Sequence, residues 1–175
     1  MRCYHLANSY LPGIHAGIQS AHTQHEMALK YLGGELGNDT LKTQHAVYVE
    51  WATNHKTVIV LNGGWQSTLQ EWVAFLAQTG NPYPWAMFHE ELDSLNGALT
   101  NVGVVVPEHI YSVGRELREM SRPGVASSVM LKDGRELQVR ASATILLNEA
   151  KETIHTYTQF EVELAIRLSG PSLMG

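Results

Sequence analysis

One segment restricts the possible folds of this chain more than any other. Residues Lys56–Leu61 (Lys-Thr-Val-Ile-Val-Leu) form an unbroken, mainly β-branched run, which is typical of a strand buried on both faces. Gly63-Gly64 follows this run, and Thr68–Thr79 then places apolar residues at helical spacing. Such a strand needs helices on both faces of its sheet, so we predict an α/β fold with Lys56–Leu61 as a central strand.

The segments on either side alternate between strand and helix periodicity. The predicted strands are Arg2–Leu11, Pro84–His89 and Leu99–Val106, the predicted helices Gly13–Leu32 and His45–Thr53, and the predicted loops Glu35–Lys42 and Asp93–Gly97. The core-facing stripe expected in the longer helix consists of Ile14, Ile18, Ala21, Ala28, Leu29 and Leu32. This order predicts a small mixed sheet of about four strands with helices on its faces.

Beyond Pro107 the pattern changes, so we divide the chain into a first domain, residues 1–110, and a C-terminal extension, residues 111–175. The extension is predicted to contain a helix at Pro107–Met120, a hairpin at Ser128–Leu131 and Glu136–Arg140, and strands at Thr144–Leu147 and Phe160–Leu168. We therefore expect a β-rich extension with a second small sheet. That sheet is expected to pack on the first domain, to make a homodimer contact or to bind a protein partner.

The composition is that of an ordinary globular protein, with 44% hydrophobic residues and one cysteine. The single cysteine excludes an internal disulfide framework. No apolar run approaches the roughly 20 residues of a membrane helix, and the N-terminus lacks the apolar stretch of a signal peptide. We expect a cytoplasmic protein without membrane association.

The charge is unevenly distributed. The chain has a net charge of −5, and the residues up to His109 carry four bases against nine acids. An acidic domain repels phosphates, whereas nucleic-acid-binding proteins normally present a basic surface. Eight of the nine histidines also lie in this first part, but protonating them at pH 7 adds little positive charge.

Three segments, in matching order and spacing, carry a resemblance to a known family. They are Leu11–His22 (Leu-Pro-Gly-Ile-His-Ala-Gly-Ile-Gln-Ser-Ala-His), Trp51–Leu61 (Trp-Ala-Thr-Asn-His-Lys-Thr-Val-Ile-Val-Leu) and Phe88–Val104, which contains Leu95-Asn96-Gly-Ala-Leu99-Thr100. Over residues 1–107 the chain resembles a divergent type-2 peptidyl-tRNA hydrolase. The resemblance implies hydrolysis of the ester between a peptide, or a modified amino acid, and tRNA. Water is then the nucleophile, no cofactor or metal is needed, and tRNA or peptidyl-tRNA is the partner.

The resemblance also implies which residues form the site. The family uses a lysine one helical turn before a glutamine, an aspartate four residues before a threonine, and that threonine. Here the glutamine and threonine are Gln19 and Thr100, whereas the lysine position holds His15 and the aspartate position holds Asn96. Candidate catalytic residues are therefore His15, Asn96, Thr100 and, as a replacement carboxylate, Asp93, with Glu90 and Glu91 also close in sequence. Gln19 and His22 are the candidate substrate-binding residues.

Other interpretations of these residues stay open. His15 and His22 share a helix face near His25 and Glu26, which is compatible with a metal site, with cleft residues or with solvent-exposed histidines. The four tryptophans are either core residues or platforms for nucleobases. The altered lysine and aspartate positions and the acidic charge favour a second function, in which the fold is retained as a module that binds a protein or a nucleotide-like ligand.

Overall fold

The computed structural model describes residues 1–125, 127–140 and 143–174. Contacts between residues divide the chain into two compact units. Unit 1 comprises residues 1–107 together with the C-terminal residues from Pro171, and unit 2 comprises Glu108–Gly170. The return of the last residues to unit 1 has no signal in the sequence.

Unit 1 is built on a four-stranded mixed sheet, which confirms the predicted fold class. Its strands are β1 (Arg2–Ala7), β2 (Val58–Asn62), β3 (Trp85–His89) and β4 (Leu99–Val106). The spatial order is β2-β1-β4-β3, with β1 parallel to β2 and β4 antiparallel to both β1 and β3. The expectation of about four strands with helices is therefore correct.

The prediction that Lys56–Leu61 is central is wrong, because β2 lies at the edge of the sheet and Val58 is 39% exposed. The C-terminal segment covers part of this edge, since Met174 N–H donates to Val60 O at 3.0 Å and Asn62 N–H donates to Ser172 O at 2.8 Å. The central strands are β1 and β4, and every residue of β4 is buried. Strand order depends on pairing between segments that are distant in sequence. The unbroken apolar run at Lys56–Leu61 was therefore not enough to predict a central position.

Helices cover both faces of this sheet. They are α1 (Gly13–Leu32), α2 (Asp39–Glu50), α3 (Gln66–Leu76) and the short α4 (Leu92–Leu95). Near Gly103, the side chains of Met27 in α1 and His5 in β1 come together. Near Gly63, the side chain of Leu69 in α3 approaches Leu6 of β1. Successive residues of a strand point to opposite faces, so α1 and α3 pack on opposite sides of β1.

The second helix begins earlier than predicted. Asn38 caps it by accepting a hydrogen bond from Leu41 N at 2.8 Å, so α2 includes part of the predicted loop Glu35–Lys42. It continues into a π-helical turn at Trp51–His55, which ends at Lys56 in the left-handed conformation with φ 56°. The loop expected at Asp93–Gly97 likewise contains the end of α4.

Most of the apolar stripe predicted to bury α1 faces solvent instead, and only Ala28 of that stripe is partly buried against the core. Ile14 is 76% exposed, Leu29 69% and Leu32 56%. The buried residues are Ala16, Gln19, Ser20, Thr23, Met27 and Tyr31. Two of these polar residues satisfy their hydroxyls within the helix, since Ser20 Oγ donates to Ala16 O and Thr23 Oγ1 to Gln19 O. The packing face therefore combines small or hydrogen-bonded polar side chains with the large side chains of Met27 and Tyr31. The prediction was wrong because it followed an apolar periodicity on the opposite face.

Unit 2 contains a second, antiparallel sheet. Its elements are α5 (Glu108–Tyr111), α6 (Gly114–Met120), β5 (Ser128–Met130), β6 (Glu136–Arg140), β7 (Ala143–Leu147), β8 (Thr153–Tyr157) and α7 (Gln159–Leu168), with strand order β5-β6-β7-β8. The predicted hairpin and the strand after it are confirmed, and β8 was missed. The predicted helix Pro107–Met120 is split into α5 and α6. Gly114 begins α6, where a Cβ atom would collide with the carbonyl oxygen of Ala165 in α7.

The prediction of a strand at Phe160–Leu168 is wrong, because this segment is α7. Thr158 and Glu161 form a capping box that starts the helix, in which each side chain bonds to the backbone of the other. The buried residues are Glu161, Leu164, Ala165 and Leu168, which have helical spacing. The apolar residues of this segment fit both the alternation of a strand and the spacing of a helix. The capping box favours the helix.

None of the helices in the described ranges is long and apolar enough to cross a membrane.

Candidate functional site

Three polar side chains from three different elements meet at one end of the sheet of unit 1. Gln19 lies on the packing face of α1, Glu90 follows directly after β3, and Thr100 is the second residue of β4. Gln19 Nε2 donates to Glu90 Oε1 at 2.5 Å. Thr100 Oγ1 lies 3.3 Å from Gln19 Oε1 and 3.3 Å from Phe88 O. We call Gln19, Glu90 and Thr100 the candidate site.

The direction of each hydrogen bond in the candidate site follows from chemistry. An ionised carboxylate only accepts hydrogen bonds, so the amide nitrogen of Gln19 must face Glu90. The amide oxygen of Gln19 then faces Thr100, whose single hydroxyl hydrogen is shared between this oxygen and Phe88 O, each 3.3 Å away. Gln19 and Thr100 are 8% and 0% exposed, whereas Glu90 is only half-buried. The buried amide of Gln19, which also faces the buried hydroxyl of Thr100, therefore holds the partly exposed carboxylate of Glu90.

The backbone around Glu90 fixes the position of its side chain. Its N–H donates to Ala98 O at 3.0 Å, and this hydrogen bond joins the two ends of the turn that contains α4. The second carboxylate oxygen, Oε2, lies 3.4 Å from Ser94 Oγ, a long and weak contact. This oxygen is therefore the one that remains available to a water molecule or a ligand.

The other residues that the resemblance assigns to catalysis lie on the surface. Asn96 ends α4 in the left-handed conformation with φ 52°, and its N–H donates to Leu92 O. His15, Asp93 and Asn96 are all exposed. No hydrogen bond joins any of these three side chains to the candidate site within the described residues. The structure thus brings together Gln19 and Thr100, and the carboxylate beside them is Glu90 rather than Asp93.

Several ring side chains belong to the segments around the candidate site. The imidazole of His22 stacks on the ring of Phe88, with centroids 4.7 Å apart and an angle of 15° between the planes. Phe88 also supplies the carbonyl that faces Thr100. On another side, burial and the nearby charge of Glu90 raise the pKa of the Tyr10 phenol. The role of His22 in substrate binding stays a prediction.

Within the described residues, the histidines of α1 belong to no group of three His, Cys, Asp or Glu side chains that could hold a metal ion. His25 instead hydrogen-bonds to the carbonyl of Ala21 on its own helix.

A buried polar network lies beside the candidate site and was not predicted from the sequence. His5 Nδ1 donates to Asn101 Oδ1 at 2.8 Å, and Asn101 Nδ2 donates to Ser20 Oγ at 3.3 Å. The other ring nitrogen of His5 is 3.2 Å from Cys3 Sγ. Burial lowers the pKa of His5 to about 4 and raises the pKa of the Cys3 thiol. Both groups are neutral at pH 7, so the pair does not supply a thiolate nucleophile.

Unit 2 contains a separate histidine cluster. The rings of His109 and His155 have centroids 4.0 Å apart, and His155 Nε2 lies 3.3 Å from Glu161 Oε2. His109 Nδ1 is buried and has no hydrogen-bond partner in the described part of the chain. Burial and the charges of His155 and Arg135 lower the pKa of His109 to about 4, although Glu161 opposes them. His109 is therefore neutral at pH 7.

Comparison with known proteins assigns neither a family nor a function. No protein-family model matches the chain, and no curated protein matches it significantly. The resemblance described above remains a prediction.

Proposed function

We propose that this protein hydrolyses the ester between a peptide, or a modified amino acid, and tRNA, with Glu90 as the general base. The observation that supports this most directly is the candidate site. In it, Gln19 binds one oxygen of Glu90 at 2.5 Å and also faces the hydroxyl of Thr100. A carboxylate held on one oxygen and only weakly contacted, by Ser94, on the other is suited to orient a water molecule and to accept its proton.

The roles of the three residues follow from their hydrogen-bonding capacity. Glu90 accepts the proton of the attacking water. Gln19 positions Glu90, and Thr100 in turn fixes the amide of Gln19. The oxygen of this water adds to the ester carbonyl carbon, the bond from that carbon to the 3′ oxygen of the ribose breaks, and Glu90 returns the proton to the 3′ oxygen. The products are the free acid and tRNA, so the reaction needs no cofactor. Since translation takes place in the cytoplasm, the proposal also implies a cytoplasmic protein.

The test is release of the acyl group from an N-acetylated aminoacyl-tRNA by the purified full-length protein. Glu90→Gln keeps the size of the side chain and a hydrogen-bond acceptor toward Gln19, and it should lower turnover by about 100-fold or more, the usual scale for a lost general base. Glu91→Gln is the matched control, since Glu91 is the neighbouring exposed carboxylate, and it should leave turnover unchanged.

Two further variants separate this arrangement from the one that the resemblance implies. If His15→Ala or Asp93→Asn lowers turnover by that amount and Glu90→Gln does not, Glu90 is not the base. If the wild-type protein releases no acyl group, the hydrolase function is refuted.

One observation favours a second function, in which the fold is a binding module. Thr100 is fully buried and Gln19 nearly so, so their mutual hydrogen bonds also fit a structural polar network inside the domain. In that case Glu90→Gln lowers the free energy of unfolding, and neither variant changes any hydrolytic rate. The predicted partners are then a protein bound through residues 111–175, or a second copy of the chain.

A further inference from the structure

The four tryptophans differ sharply in exposure. Trp51 and Trp72 are each 5% exposed and belong to the core of unit 1, and Trp85 lies beneath the ammonium group of Lys30, 4.4 Å from the ring centroid. Trp65, by contrast, is 65% exposed. An exposed aromatic side chain does not contribute the stabilisation that burial would give. Such residues are enriched at surfaces that bind a ligand or a partner.

Trp65 lies on a loop that is tied to the loop carrying Tyr10. Ser9 N–H donates to Gly64 O at 2.8 Å, and Ser9 Oγ donates to Asn62 Oδ1 at 2.5 Å. The loops that follow the parallel strands β1 and β2 are therefore fixed to each other. Tyr10, which is 42% exposed, and Trp65 consequently lie on hydrogen-bonded loops at the same end of the sheet.

The candidate site lies at the same end of the sheet and is joined to these loops by a hydrogen bond. Asn8 N–H donates to Thr100 O at 2.9 Å, which joins the Tyr10 loop to the start of β4. Backbone hydrogen bonds thus lead from Thr100, past Tyr10, to Trp65.

We propose that Tyr10 and Trp65 are a stacking pair for the unpaired nucleobases at the 3′ end of tRNA, the end that carries the ester. This inference rests on the proposed function, which supplies the tRNA. Single-stranded RNA is commonly recognised by stacking its bases on aromatic side chains. Each stacked base contributes roughly tenfold or more in affinity.

The charge of unit 1 supports stacking rather than phosphate contacts. Residues 1–107 contain only Arg2, Lys30, Lys42 and Lys56 as bases, and twice as many acids. Phosphate binding releases counterions and makes affinity strongly dependent on salt. Stacking on neutral rings needs no positive charge, and salt screens the repulsion between the acidic unit and the phosphates. Binding of the unpaired end should therefore not weaken between low and moderate salt.

The test compares two fluorescent RNA hairpins, one with an unpaired 3′-terminal CCA tail and one without it. Fluorescence anisotropy with the full-length protein should show tighter binding of the tailed hairpin. Trp65→Ala and Tyr10→Ala should each weaken tailed binding about tenfold, and Trp65→Phe should retain most of it. Leu29→Ala is the control, because Leu29 is 69% exposed on α1 and should have no effect.

Each outcome decides a different point. Wild-type-like binding of the tailed hairpin by Trp65→Ala overturns the stacking pair, as does the absence of any preference for the tail. Dissociation of a dimer by Trp65→Ala in sedimentation, without RNA binding, assigns the surface to a protein contact and also overturns it. Hydrolysis without tail preference leaves the proposed function standing. Tail preference that depends on Trp65, without hydrolysis, supports the stacking pair and refutes the hydrolase function.

Discussion

The buried histidine of β1 should make unit 1 sensitive to acid. His5 has no exposed surface, and burial lowers its pKa to about 4, whereas a histidine in the unfolded chain has a pKa of 6.5. Between these two values the unfolded chain binds a proton that the folded unit does not bind. The free energy of unfolding therefore falls as the pH drops from about 6.5 towards 4, and the contribution of His5 is complete above that range.

The size of this effect follows from the difference between the two pKa values. One pKa unit corresponds to about 1.4 kcal/mol, so the full loss is about 3 kcal/mol. At pH 4.5 most of it, about 2.5 kcal/mol, is already present. This is a large part of the stability of a small domain, which is about 5–15 kcal/mol.

Urea unfolding followed by tryptophan fluorescence reports on unit 1, because all four tryptophans lie in residues 1–107. Any contribution from ionisation of His109 is common to wild type and variant, and it cancels in their difference. His5→Gln removes the titrating group, so the stability difference between wild type and variant should shrink by about 2.5 kcal/mol between pH 7 and pH 4.5. His25→Gln, on the exposed face of α1, should keep a constant difference. An equal pH dependence of wild type and His5→Gln would refute the reasoning.

Two further predictions concern stability. Thr158→Ala removes the N-cap of α7 and should lower the free energy of unfolding by about 1 kcal/mol, measured as a lower midpoint of thermal unfolding by circular dichroism. Thr156→Ala, at an exposed position of β8, is the control and should cost less. An equal loss in both variants would contradict the capping role. Gly63→Ala would bring a methyl group within 3 Å of the backbone of Leu6 and the side chain of Leu69, so it should cost roughly 1–3 kcal/mol in urea unfolding. Gly37→Ala, where no atom lies within 4 Å, should be tolerated, and similar stability of the two variants would argue against close packing at Gly63.

Local pattern was sufficient where neighbouring residues decide the structure. The strand at β2, the helix α3 and the hairpin of β5 and β6 follow from β-branched runs, helical spacing and turn residues within a few positions of one another. The capping box at Thr158 and Glu161 was an equally local signal for α7. The strand prediction did not use it and rested on an apolar alternation that also fits helical spacing.

The tertiary structure alone decided the strand order, the packing face of α1 and the identity of the site carboxylate. Gln19 meets Glu90 across 71 residues of sequence and Thr100 across 81, and no short-range periodicity encodes contacts over such separations. Asp93 and Glu90 are only three positions apart, but the turn that begins after β3 directs Glu90 towards α1 and leaves Asp93 exposed in solvent. Which of two nearby carboxylates enters a site depends on where the strand ends and the turn begins, and pairing with β4 sets that point.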